Sequence, residues 1–169
     1  MSMELILVQV DNELLNKIKE DPTVLEQIVF EESYVHPTLD YTKHVRYSDY
    51  LTWTGLYSAI AQQAGDDPEE YTESEAVQNS PIYRAVDGSD ESEYLEDCAG
   101  LFTYEHCMLN HTDEVKKIAQ ELKEFIDKSD FTKELTEADK KDEEFILIGE
   151  YLFYEKAAAE NKSVICCIN

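Results

Sequence analysis

Residues 3–10 read MELILVQV, and residues 163–168 read SVICCI. Both are short apolar runs bounded by polar residues, a pattern typical of β-strands that are buried on both faces. One run lies near each end of the chain. We therefore expect the two terminal strands to be neighbours in one small sheet.

Helical periodicity fills much of the chain between these two runs. Asp11 is placed to cap a helix that follows the first strand, and Pro22 restarts the helix over 22–32. Apolar residues near the 3.6-residue period predict a further helix from about Tyr41 to Ala64, which ends at the breaker sequence GDDP (65–68). The same reasoning predicts two long helices over 113–127 and 143–162.

The segments between these helices are less regular. Residues 66–97 carry 12 Asp and Glu against a single basic residue, Arg84, and we expect a surface loop interrupted by a short helix over 80–88. Residues 100–109 have strand-like aromatic content, and residues 129–142 form a charged connection.

Strands at both termini and in the middle, with helices between them, predict an α+β (mixed α/β) fold. The small sheet would pack against several amphipathic helices. A chain of 169 residues with 43% apolar residues and few Gly and Pro fits one compact domain over 1–169.

The net charge of −24 limits the kinds of partner that the protein can bind. Such a charge repels nucleic acid and anionic membrane surfaces, and no basic patch interrupts it. No apolar run has the roughly 18 residues of a membrane span, and the first residues lack the basic stretch of a signal peptide. Four Cys in such a chain are expected to be reduced thiols in the cytoplasm.

Motifs for catalysis or cofactor binding do not emerge. Glycine-rich phosphate loops, the G-x-S-x-G elbow and H-E-x-x-H are absent from the sequence. The stretch EDCAGLFTYEHCMLNH supplies four side-chain types that bind zinc, but its two Cys lie nine residues apart, unlike the short paired spacings of zinc sites. We expect no metal and no cofactor there, and interpret the four residues as buried Cys and surface His: Cys98, His106, Cys107 and His111.

A second stretch, LDYTKHVRYSDYLTWTG (39–55), concentrates aromatic and basic residues in an otherwise acidic chain. As part of a helix, its aromatic side chains would either pack in the core or form a recognition surface with Tyr47 and Trp53. Its Asp40, Lys43 and Tyr47, together with Arg84, are also candidates for holding an anionic ligand.

The order of these features resembles that of the YfbM-like family of bacterial proteins, whose function is unknown. The resemblance is carried by the opening MSMELILVQVDNELLNKI, by Leu39, Asp40 and Lys43 followed by Thr54-Gly55, and by the box Pro81, Ile82, Ala85, Val86 and Gly88. Gly100, the Thr112-capped helix and the closing AAAENKSVICCIN extend it over nearly the whole chain. It departs from the family between Lys43 and Gly55, where the spacing is one residue longer and the family's Trp and one or two His have no match at their positions, since Trp53 lies near the other end of that stretch. The resemblance implies a mixed α and β fold in a bacterial cytosolic protein, and it implies no activity.

Two functions follow as expectations. The first is a non-catalytic, acidic protein-binding module of the immunity or regulatory-inhibitor type, whose carboxylates steer it onto a basic protein. Its contact residues would be Tyr47, Trp53 and six acids: Asp66, Asp67, Glu69, Glu70, Glu73 and Glu75. The alternative is an enzyme or a small anionic-ligand-binding protein with a pocket near Lys43 and Arg84.

Overall fold

The computed structural model describes residues 3–30, 46–50, 52–128 and 137–169, and gives the backbone alone for 46–50, 52, 137–146 and 148. The strands are β1 (Glu4–Val10), β2 (Arg46–Tyr50), β3 (Glu93–Tyr94), β4 (His106–Asn110) and β5 (Ser163–Ile168). The helices are α1 (Asn12–Glu20), α2 (Thr23–Phe30), α3 (Thr52–Ala64), α4 (Glu75–Gln78), α5 (Pro81–Val86), α6 (Glu96–Ala99), α7 (Thr112–Lys128) and α8 (Glu137–Ala159), with a 3-10 helix at Tyr71–Glu73.

The two terminal strands pair in the middle of a five-stranded antiparallel sheet, in the order β2-β1-β5-β4-β3. Leu5 lies opposite Ile168 and Val10 opposite Ser163. The predicted contact between the terminal strands is confirmed, and so is the α+β fold class.

Helices cover both faces of the sheet, which explains why β1 and β5 are apolar without alternation. On one face Leu5 and Leu7 pack with α3, α5, α7 and α8, and on the other Ile6, Val8 and Val10 pack with α1, α2 and α6. Within the described residues, none of the helices is long and apolar enough to cross a membrane.

Local chemistry sets the helix ends. The side chain of Asp11 accepts a hydrogen bond of 2.8 Å from Leu14 N–H at the start of α1, as the sequence predicts. Helix α3 ends at Gly65, whose φ of +84° allows Asp66 N–H to bond to Ala61 C=O and Gly65 N–H to Gln62 C=O, a Schellman motif. Helix α8 ends in the same way at Asn161, with a φ of +55°.

The predicted helix from about Tyr41 to Ala64 is wrong in its first part. Residues 46–50 form β2, which pairs with β1 from Glu4–Tyr50 to Val8–Arg46, and α3 begins only at Thr52. Cross-strand hydrogen bonding to the edge of β1 overrides the local helical spacing, so Tyr47 and Tyr57 do not share a helix face. Residues 41–45 lie outside the described residues.

Three smaller differences concern the irregular segments. Residues 66–97 are largely ordered as short elements, from the 3-10 helix at Tyr71–Glu73 to α6, in place of a loop with one helix. In the segment 100–109 only the part from His106 is a strand. The predicted helix over 143–162 begins earlier, at Glu137, while 129–136 lies outside the described residues.

Candidate functional site

The acidic segment, residues 66–75, follows the end of α3, and hydrogen bonds from its side chains hold its backbone. The carboxylate of Asp67 accepts a bond of 2.8 Å from Glu69 N–H. The Ser74 hydroxyl donates to the carboxylate of Asp66 at 2.7 Å and accepts from Val77 N–H as the N-cap of α4. The carboxylates of this segment are therefore presented by an ordered scaffold.

All six predicted contact acids of this segment are exposed: Asp66, Asp67, Glu69, Glu70, Glu73 and Glu75. Four of them, together with Ser74, line one shallow pocket of about 230 Å³: Asp66, Asp67, Glu70 and Glu73. The sequence supplies no Lys, Arg or His between residues 53 and 83. The segment is consequently a surface of one sign of charge.

The aromatic residues predicted near this surface lie elsewhere. Trp53 is only 6% exposed and packs edge to face on Tyr57, with ring centroids 5.6 Å apart. It belongs to the core between α3 and the sheet and offers little surface to a partner. Tyr47 lies in β2, and its side chain is not among those described, so its predicted role stays a prediction.

Arg84, a candidate for an anionic ligand, is engaged within the fold. Its guanidinium forms an ion pair with Glu121 of α7 and donates to Asn79 C=O at 3.0 Å. It would have to exchange these partners to hold an anion. Asp40 and Lys43 lie outside the described residues, so the alternative pocket stays a prediction.

A cluster of polar groups gathers at the end of α5, around Asp87. The hydroxyl of Tyr57 donates to its carboxylate at 2.6 Å, and the ring of Tyr57 lies 5.8 Å from that of Tyr83. Burial raises the pKa of Asp87, an effect opposed by the Tyr57 bond and by nearby His106. Burial and then Asp87 raise the pKa of Tyr57 well above its usual value.

Behind this cluster a hydrogen-bonded network crosses from α5 to α8. Asn110 donates to Arg84 C=O and to the Tyr154 hydroxyl, both at 3.2 Å, and accepts from Ser92 at 2.6 Å. Tyr154 in turn donates to Ala85 C=O. The network fixes the position of the 81–88 box against the sheet.

Sequence reasoning missed Asp87 as a member of a cluster. Its partner Tyr57 is 30 positions away, and no local pattern links them. The box Pro81–Gly88 is the one available signal, because its residues match a motif of the resembled family.

A cleft of about 330 Å³ opens at the β3 edge of the sheet, between Ile18, Lys19 and Pro22 on one side and residues 93–98 on the other. At its mouth the Glu93 carboxylate accepts from Lys19 at 2.9 Å and lies 3.0 Å from His111 Nε2. Lys19, and then His111, lower the pKa of Glu93. These are exposed pairs, so each contributes little to stability.

Three thiols lie in a row inward from this cleft. Cys98 lines the cleft and packs in one buried cluster with Cys107, whose sulfur is 3.7 Å from that of Cys167. Among the described residues no group of three or more His, Cys, Asp or Glu is arranged to hold a metal ion. Of the two His predicted at the surface, His111 is exposed, whereas His106 is half-buried and lies 3.0 Å from Val86 C=O.

Comparisons with known proteins bear on the fold. No family model matches the sequence, and no curated protein matches it. Among solved structures, the chain is similar to that of YfbM from Escherichia coli, a protein of unknown function, with a TM-score of 0.58 and 13% sequence identity over 98% of this chain and 99% of that one. At this identity the similarity establishes a YfbM-like fold and no more.

Proposed function

We propose that this protein is a non-catalytic binding module whose acidic segment contacts a basic protein partner. The observation that carries the proposal is the exposure of all six carboxylates of 66–75 on a hydrogen-bonded backbone. We further propose membership of the YfbM-like family and a bacterial cytosolic setting, on the sequence resemblance and the shared fold.

Electrostatic steering is the physical basis of the proposal. A surface of one sign of charge raises the rate at which an oppositely charged partner associates, by about 10- to 1000-fold, and salt screens the effect. An ordered scaffold adds specificity, because the carboxylates keep their spacing before the partner arrives and little conformational entropy is lost on binding. Fast association and a preset spacing of carboxylates are the properties that an immunity protein or a regulatory inhibitor of a basic protein needs.

The proposal is tested with a variant in which the six acids are neutralised as Asn or Gln: Asp66, Asp67, Glu69, Glu70, Glu73 and Glu75. A matched control variant neutralises six exposed acids outside this segment: Glu13, Glu20, Asp90, Asp113, Glu124 and Asp127. Removing six negative charges from −24 leaves −18 in both, so only the position of the lost charge differs.

The partner is first captured on the wild-type protein from host lysate at low salt and identified by mass spectrometry. Its association rate with the three proteins is then measured at about 50 mM and about 300 mM salt. We expect the 66–75 variant to associate about tenfold or more slowly at low salt, and the control to lose much less. Equal losses in both variants, or no loss in the 66–75 variant, would refute the acidic segment as the contact surface.

A further inference from the structure

The starting observation is the geometry of two opposed cysteines at the centre of the sheet. Cys107 of β4 lies directly opposite Cys167 of β5, and their sulfur atoms are 3.7 Å apart. Both residues are fully buried, on the face of the sheet that α1, α2 and α6 cover.

The hydrogen-bond register defines what kind of pair this is. Leu95 N–H bonds to Cys107 C=O at 3.0 Å, so the backbone polar groups of Cys107 point toward β3 and away from β5. Cys107 and Cys167 are therefore a non-hydrogen-bonded antiparallel pair, the kind in which the two Cα atoms are about 4.5 Å apart. That separation falls within the range of disulfide-bonded residues, about 4.4–6.8 Å.

A third thiol connects this pair to the surface. Cys98, in α6, lines the cleft at the sheet edge and belongs to the same buried cluster as Cys107 and Cys167. The fourth thiol, Cys166, points to the opposite face, where it donates to Ala85 C=O at 3.0 Å. Three of the four cysteines thus belong to one buried cluster that extends from the cleft to the middle of the sheet.

We propose that Cys107 and Cys167 are a reversible disulfide pair, and that Cys98 is the thiol through which a low-molecular-weight disulfide of the glutathione type oxidises them. The thiolate of Cys98 attacks one sulfur of the small disulfide and releases the first small thiol. Cys107 then attacks the sulfur of Cys98 and releases the second. Cys167 attacks the sulfur of Cys107, which joins 107 to 167 and returns Cys98 as a thiol.

Atoms and electrons balance in this exchange. The protein loses two hydrogens and gains one disulfide bond, while the disulfide bond of the small molecule breaks and yields two thiols. The neighbouring thiol is the largest cause that raises each pKa, Cys107 for Cys98 and Cys167 for Cys107, and burial raises both further. Thiolate is therefore scarce at neutral pH and the exchange is slow. A slow exchange suits a bond that forms under sustained oxidation and not in every redox fluctuation.

The test incubates the reduced, folded protein with excess oxidised glutathione at about pH 8 and maps the alkylated protein by mass spectrometry. We expect the loss of two hydrogens, a 107–167 linkage in the unmodified sequence, and a rise of about 5 °C or more in Tm, because the bond closes a long loop. A 98–107 linkage as the final product, a stable glutathione adduct on Cys98, or no mass change would each overturn the proposal.

Cys166→Ala is the matched control for Cys167→Ala, because the two residues are adjacent in β5 and equally buried. Oxidation should persist in Cys166→Ala and disappear in Cys167→Ala. Cys98→Ala should slow it about tenfold or more without changing the linkage. An oxidation rate equal to the rate of global unfolding, or an unchanged rate in Cys98→Ala, would refute the path through the cleft.

Discussion

At the scale of the residue, Asp87 is a half-buried carboxylate whose surroundings shift its pKa. Its carboxylate sits among Tyr57, Tyr83 and His106, and burial is the largest influence on its pKa, which is raised from the ordinary 3.8. The Tyr57 hydroxyl at 2.6 Å stabilises the charged form and limits the rise. A carboxylate held in this way stabilises the fold less as it ionises.

The consequence is a pH dependence with a definite sign. Because its folded pKa lies above its unfolded pKa, Asp87 contributes stability that is fully present below about pH 3.8 and is lost as pH rises through its folded pKa. We expect Asp87→Asn, which keeps an acceptor for Tyr57, to gain stability relative to wild type between about pH 4 and about pH 7. The measurement is the urea midpoint of both proteins across that range. A difference that is constant or shrinks with rising pH would contradict the assignment.

Whether a side-chain contact could be predicted from the sequence depends on how far apart its two residues lie in the chain. The Asp11 cap and the burial of Leu14, Leu15 and Ile18 follow from neighbours within one or two helical turns. The Tyr57–Asp87 bond, the Arg84–Glu121 pair and the alignment of Cys107 with Cys167 span 30 to 60 positions. Such contacts depend on the register of the sheet and on helix packing, which local patterns do not specify.

At the scale of the element, the glycines that end helices differ in what surrounds them. Gly65 and Gly88 both have a φ of +84°, but an added Cβ at Gly65 would meet nothing within 4 Å, whereas at Gly88 it would meet Ser92 Oγ at 2.9 Å and Met108 Cε at 3.1 Å. Gly100 has a right-handed φ of −63° and open space. An added Cβ would therefore meet neither problem at Gly100, backbone strain alone at Gly65, and both strain and steric crowding at Gly88.

Alanine substitutions at these glycines should therefore form a graded series. We expect Gly100→Ala to be neutral within about 0.5 kcal/mol, and Gly65→Ala to cost about 1 kcal/mol for left-handed strain. Gly88→Ala should cost about 2–3 kcal/mol, because it adds crowding against the β3–β4 region. Chemical unfolding gives the free energies, and a Gly88→Ala cost no larger than that of Gly65→Ala would show that this turn relaxes freely.

Elements buried on both faces were predictable, whereas the edge of the sheet was not. MELILVQV and SVICCI have the apolar composition that only a central strand needs, and they are β1 and β5. β2 has the sequence RYSDY, which contains no apolar run, and it exists because the free edge of β1 supplies hydrogen bonds. A prediction based on periodicity extended α3 through it for that reason.

At the scale of the whole molecule, the charge of −24 acts on both binding and folding. Self-repulsion destabilises a compact state relative to an expanded one, and the acidic segment gathers six carboxylates with no basic residue from 53 to 83. The charge was evident from composition. That six of the acids stand exposed on one hydrogen-bonded segment, with Ser74 bonded to Asp66, is shown only by the fold.

Screening should stabilise this protein, because added salt weakens repulsion among its exposed acids. Between about 10 mM and about 150 mM KCl the Debye length falls from about 30 Å to about 8 Å, so we expect the urea midpoint of the wild-type protein to rise.

The two variants that each remove six charges test where the repulsion lies. If the crowding of 66–75 dominates, its variant gains the most stability at low salt and shows the weakest salt dependence. The variant neutralised at scattered positions then stays close to wild type, since its acids are spread over α1, α7 and the turn at Asp90. A wild-type midpoint that is flat or falls with KCl would show that repulsion among the acids does not destabilise the folded protein. The clustering of acids in 66–75 would then have no effect on stability, and binding would be its remaining explanation.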